Sequence, residues 1–142
     1  MDSIEAIAQK LGGTRFSFAE RKHLPSSKVR AVVGWASNQE AIMAGPKPPR
    51  LDSLRFLQAR GLFHAACSCG RGTRLITEAH TWDQQAARAF AAELLAPRAA
   101  LASEAALHPG DDVIERLSTK YAVSALLVEH QLENANISSG AE

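Results

Sequence analysis

The sequence predicts an α+β fold in which a β-hairpin or a three-stranded sheet packs against a mostly helical body. Three observations support this prediction. Apolar residues recur at helical spacing near the start of the chain and through much of its second half. Two short runs rich in valine and other strand-forming residues flank a turn at 37–39. A stretch of glycine and proline at 45–49 then separates these strands from a long helical segment.

Each element is predicted from its local pattern. A helix is predicted at 4–11, where apolar residues recur at i, i+3, i+4 and i+7. In the next segment Phe16 and Phe18 alternate with polar residues, which fits either a short strand or a linker. Thr81 and Gln84 have the spacing of a capping box, at the start of a helix that ends before Pro97. The other predicted elements are hairpin strands at 28–35 and 40–44, a central helix at 52–66, an edge strand at 74–77, and two short helices at 113–121 and 125–133.

These elements divide the chain into three parts. An N-terminal helix and linker occupy 1–28, one domain occupies 29–134, and 135–142 form a tail that we expect to be mobile. The 142 residues are enough for one domain with a core of its own. Whether the chain is a piece of a longer protein is left open by the sequence.

Composition excludes several classes of protein. Charged residues make up 22% of the chain and the net charge is +1, which argues against disorder and against a strongly basic nucleic-acid surface. No segment approaches the roughly 18 consecutive apolar residues of a membrane span. The acidic start is unlike a signal peptide. Cys67 and Cys69 are too close for an easy structural disulfide, so we expect a reduced, cytoplasmic protein.

Two segments carry a family resemblance. The sequence RFLQARGLFH at 55–64 is followed by TWDQQAARAFAAELLAP at 81–97. This pair resembles the ImmA/IrrE family of metallo-endopeptidases, in which an R-F-x-x-A-H-E-x-x-H helix precedes an E-x-x-x-F-A-A-x-L-L-x-P helix. The resemblance covers roughly 29–134 and is strongest at 54–101. It implies a zincin-like domain in a bacterial regulatory setting, since active members cleave helix-turn-helix repressors in prophage, mobile-element or stress-response circuits.

The resemblance also implies that the zinc chemistry is lost. Arg60 occupies the first histidine position, Gly61 the glutamate position, His64 retains the second histidine, and Ala86 falls where the acidic ligand is usual. Two histidines four residues apart can reach one zinc ion, and the glutamate acts as general base. Arg60 is a permanent cation that cannot replace a neutral imidazole. We therefore expect no catalytic residues and no zinc cofactor at these four positions.

Two alternatives for these residues remain open. A displaced metal site would use His64, Cys67, Cys69 and His80, because thiolates and imidazoles suit zinc, although Cys-x-Cys is not the usual zinc-knuckle spacing. The alternative is that His64 is a partly buried, hydrogen-bonded histidine and that Cys67 and Cys69 bind no metal. Arg60 on a buried helix needs a carboxylate partner. We expect Glu93 or Asp83 to form a structural ion pair with it, in preference to an anion-binding site.

The end of the chain offers a third candidate site. The turn around Tyr121 to Ser124 resembles a helix-turn-helix, whose second helix can enter the major groove of DNA. That helix shows Glu129, His130, Gln131 and Glu133 but no lysine or arginine to contact phosphates, so a structural role is favoured.

The preferred function is a non-catalytic ImmA/IrrE-like domain that binds a protein partner, such as a helix-turn-helix regulator, or a ligand in a degenerate peptidase cleft. The competing functions are a zinc endopeptidase with a rebuilt ligand set, acting on a transcriptional repressor, and a DNA-binding regulator.

Overall fold

The computed structural model describes residues 2–12, 15–24, 26–68 and 72–139. Within these residues the chain is α+β, with a four-stranded mixed sheet and six helices. The predicted fold class is therefore confirmed, but the sheet is larger than predicted. In chain order the elements are α1 (Ile4–Lys10), β1 (Phe16–Glu20), β2 (Val29–Trp35), β3 (Ala41–Gly45), α2 (Leu51–Ser68), β4 (Arg74–Thr77), α3 (Trp82–Leu95), α4 (Arg98–Leu107), α5 (Val113–Tyr121) and α6 (Ala125–Ser139).

The sheet has the order β1-β3-β2-β4. The predicted hairpin is confirmed, because β2 and β3 pair antiparallel, and β4 lies at an edge as predicted. The ambiguous segment forms β1, a strand that pairs in parallel with β3. Alternation along β2 buries Ala31 and Val33, and Met43 of β3 is also buried, so one face of the sheet belongs to the core.

The central helix α2 packs on this sheet and lies beside α1 and α3. It contributes Leu57, Leu62 and Ala65 to the core, which continues through Leu101 and Leu117 of the C-terminal helices. A helix that carries apolar residues around much of its circumference is normally enclosed by other elements. The packing of α2 between sheet and helices confirms that expectation.

Three local predictions need correction. The helix α4 was not predicted, although its sequence RAALASEAAL is rich in alanine and suits a helix. The last helix continues to Ser139, so 135–139 extend α6 rather than beginning a tail, while 140–142 lie outside the described residues. Thr81 precedes α3, but its side chain makes no capping hydrogen bond to the helix, and the side chain of Gln84 bonds to β4 rather than to Thr81.

Candidate functional site

The side of α2 that carries Arg60 and His64 is buried. Arg60 is 3% exposed and His64 is 4% exposed, and residues four apart on a helix are neighbours on its surface. Arg60 reaches α3, where its Nη2 donates to Oε1 of Gln84 at 3.0 Å. This face of α2 therefore lies towards α3 at Arg60. The α3 residue that it contacts is Gln84, however, rather than half-buried Ala86.

Arg60 is the centre of a polar network that joins α2, β4 and α3. Besides its bond to Gln84, it donates from Nη2 to the carbonyl oxygen of Thr77 and from Nη1 to Oε1 of Glu78 at 3.3 Å. The predicted ion pair with Glu93 or Asp83 is wrong, since the carboxylate partner is Glu78. Burial lowers the pKa of Arg60, and the charge of Glu78 opposes that shift. We call Arg60, Thr77, Glu78 and Gln84 the Arg60 network.

Glu78 is shared by three guanidinium groups. Its carboxylate oxygens lie 3.3 Å from Nη1 of Arg60, 3.5 Å from Nε of Arg30 and 3.8 Å from Nη2 of Arg88. Three guanidinium groups around one carboxylate leave a net positive charge. This cluster is only partly buried, because the side chain of Glu78 is more than half exposed. The side of the network that faces solvent is therefore electropositive.

Gln84 closes part of the edge of the sheet. Its Nε2 donates to the carbonyl oxygen of Leu75 at 2.7 Å, and its Oε1 accepts from the backbone N–H of Thr77 at 3.1 Å. The side-chain amide therefore pairs with β4 as a neighbouring strand would, at an edge that could otherwise recruit another chain. Sequence reasoning missed this role because Thr81 and Gln84 have capping-box spacing.

Gly61 is a site of close packing against the sheet. A Cβ atom at this position would overlap the sulfur of Met43 and lie 3.3 Å from Cζ of Phe16. The sheet therefore approaches α2 closely at Gly61. A glutamate general base cannot occupy this position unless Met43 and Phe16 move.

His64 is buried in surroundings that disfavour its charged form. Burial lowers its pKa below the ordinary value of 6.5, Asp83 opposes this shift, and Arg60 and Arg74 add to it. Its Nε2 has no hydrogen-bond partner, and its ring meets the edge of Phe63 with centroids 5.5 Å apart. The imidazole is therefore neutral at pH 7.

The displaced metal site gains no support from the placement of its members. Cys67 and His80 are exposed whereas His64 is buried, and Cys69 lies outside the described residues. In the part of the chain that the structure describes, no group of three or more histidine, cysteine or acidic side chains is arranged to hold a metal ion.

A cleft of about 870 Å³ opens on the Glu78 side of the Arg60 network. Of the four positions that the resemblance singles out, only Arg60 lines it. The rest of the wall comes from the segment after β1, the loop after β3, the first half of α2 and the start of α6. Its apolar lining residues are Leu24, Val29, Phe56, Leu57, Val123, Leu126 and Leu127, together with three prolines of the loop after β3.

The start of α6 belongs to the helical pair that resembles a helix-turn-helix. Ala122 adopts a left-handed conformation that ends α5, and Oγ of Ser124 accepts from the N–H of Leu127, which caps α6. Gln131 is not displayed on the surface, because it is buried and donates to Glu93 and to the carbonyl oxygen of Ala96. The exposed positions of α6 include Glu129 and Glu133, whose charge repels phosphates.

Comparison of the chain with protein-family models and with curated proteins finds no match. Among the described residues, no helix is long and apolar enough to cross a membrane.

Proposed function

We propose that this chain is a non-catalytic ImmA/IrrE-like domain that binds a ligand or a segment of a protein partner in the cleft beside Arg60. The observation that carries the proposal is the cleft itself, which has a largely apolar wall and ends at a buried guanidinium group. Its volume of about 870 Å³ lies within the range of sites that enclose small molecules. The family resemblance suggests a regulatory role in the bacterial cytoplasm, with a helix-turn-helix regulator as partner.

The absence of catalysis is supported by what occupies the zinc positions. The guanidinium of Arg60 is committed to Glu78, Thr77 and Gln84, and as a cation it repels a metal dication. Gly61 has neither a side chain to move a proton nor room for one. Direct DNA binding gains no support, because α6 contains no lysine or arginine.

Metal analysis tests the non-catalytic part of the proposal. Protein purified without a histidine tag should contain far less than one zinc ion per chain. The physical reason is that His64 is the only expected ligand present and Arg60 lies one helical turn away. One zinc per chain that is lost in His64→Ala, but kept in the matched control His80→Ala, would contradict the proposal. So would cleavage of a repressor-like protein that a chelator abolishes and zinc restores.

A neutral apolar probe tests the cleft. N-phenyl-1-naphthylamine should bind at about one molecule per chain, with increased fluorescence, because the wall of the cleft is largely apolar. Leu126, which lines the cleft, is 59% exposed, so Leu126→Glu should spare the core and weaken probe binding about fivefold. Leu107→Glu is the matched control, since Leu107 is 73% exposed and lies outside the cleft. Failure of the parent protein to bind the probe would refute the assignment of the cleft as a binding site.

A further inference from the structure

The register of the strands collects three cations at one end of the sheet. The strands β1 and β3 are parallel and end in register at Glu20 and Gly45, so the segments that follow them, with Lys22 and Lys47, leave the sheet at the same end. Because β2 runs antiparallel to β3, its early residue Arg30 lies at the same end. All three cations line the cleft. Arg30 lies on β2, and the two lysines lie just after its neighbours β1 and β3, so their convergence is a consequence of the sheet order.

The two carboxylates that line the cleft do not balance this charge. Asp52 accepts from Arg50, which lies outside the lining, and Glu78 is already surrounded by three guanidinium groups. Neither Lys22 nor Lys47 forms an ion pair with any described residue. The cleft therefore presents two ammonium groups without carboxylate partners.

The start of α6 adds to the positive potential. Ser124 and the first turn of α6 line the cleft, and that turn contains no acidic side chain. The N-terminus of a helix carries partial positive charge from its unpaired N–H groups. Apolar side chains and positive charge therefore face the same volume.

We propose that the cleft binds a small amphipathic organic acid. Its apolar body packs against Phe56, Leu57 and Leu127, and its deprotonated acid group lies at the end that carries Lys22 and Lys47. This inference rests on the proposed function of the cleft and names the class of ligand. A carboxylate, sulfonate or phosphate supplies the same charge to the lysines, so the common chemistry is an anionic group on an apolar body.

The closed edge of the sheet favours a small molecule over an extended peptide. A peptide that binds by strand addition needs free backbone groups on a sheet edge. On β4, next to the cleft, Gln84 already occupies the carbonyl of Leu75 and the N–H of Thr77. Strand addition at β4 is therefore blocked, which favours a compact ligand with one charged group.

The proposal is tested with two probes that share one aromatic skeleton. 1-Anilinonaphthalene-8-sulfonate carries a sulfonate, whereas N-phenyl-1-naphthylamine is neutral. The anionic probe should bind the parent protein about tenfold more tightly than the neutral probe, because charge-assisted contacts are stronger than neutral ones. In Lys22→Gln/Lys47→Gln that advantage should disappear while neutral-probe binding is kept. The control Lys10→Gln/Lys28→Gln removes the same charge from exposed lysines outside the cleft and should keep the advantage.

The outcomes separate this inference from the function on which it rests. Equal affinity for the two probes, or equal loss in both double variants, would overturn the organic-acid proposal and leave a binding cleft. Binding of neither probe would overturn both. Dodecanoate and dodecyl phosphate should displace the anionic probe at lower concentrations than dodecanol does, and their relative affinities distinguish a carboxylate from a phosphate ligand. Displacement by an acidic amphipathic peptide, at concentrations at which dodecanoate and dodecyl phosphate have no effect, would assign the cleft to a protein segment and refute the small-ligand proposal.

Discussion

Replacing Arg60 with methionine should lower the free energy of unfolding by about 2–4 kcal/mol, because two acceptors in the interior each lose a charged donor. Methionine keeps most of the apolar volume but leaves the carbonyl of Thr77 and Oε1 of Gln84 without the guanidinium. The ion pair with Glu78 contributes less to this loss, since Glu78 is more than half exposed and solvent screens the pair. Urea unfolding followed by circular dichroism measures the effect.

Arg88→Met is the matched control for this prediction. Arg88 also approaches Glu78, with Nη2 3.8 Å from the carboxylate, but its side chain is 25% exposed. It should therefore change the free energy of unfolding by about 1 kcal/mol or less. If Arg60→Met proves as stable as the parent protein, Arg60 does not hold α2, β4 and α3 together.

The second large effect is expected at Gly61. In a solvent-facing helix, replacing glycine with alanine stabilises by about 1 kcal/mol. Here the sign should reverse, and Gly61→Ala should cost about 1–3 kcal/mol because the new methyl group overlaps the sulfur of Met43. Gly61→Glu should cost more, since it also brings a carboxylate into apolar surroundings. Thermal and urea unfolding of both variants measure the order of these effects.

A double-mutant cycle isolates the cause of the Gly61 effect. Met43→Ala removes the side chain that the new Cβ would meet, at its own cost as a cavity in the core. In the Met43→Ala background, Gly61→Ala should become neutral or stabilising. A Gly61→Ala variant that stabilises the parent protein would contradict the packing argument. The same geometry implies that rebuilding the zinc motif with Arg60→His, Gly61→Glu and Ala86→Glu also requires space at Met43.

Much of the fold was predictable because its signals are local. The hairpin, the edge strand β4 and the helices α2 and α3 each follow from residues a few positions apart, whose spacing determines which face is apolar. The family resemblance singled out Arg60 and Gly61, and both lie at close contacts in the structure.

Predictions failed where a residue's partner is distant along the chain. Gln84 has the spacing of a capping residue but bonds to β4, because α3 places its amide beside two backbone groups that would otherwise be unpaired at the edge of the sheet. The ion pair between Arg60 and Glu78 spans 18 residues and depends on how β4 ends. No local pattern distinguishes Glu78 from Asp83 or Glu93 as a partner.

The sequence by itself determined the α+β class and the main strands and helices. Those properties depend on side-chain type and short-range spacing. Only the tertiary structure decided which carboxylate pairs with Arg60, which side chain closes β4, and where the cleft lies. The cleft draws on residues from Lys22 to His130, and its cations converge because parallel and antiparallel pairing bring the ends of three strands together. Such convergence is a property of strand order and register, which local sequence patterns do not encode.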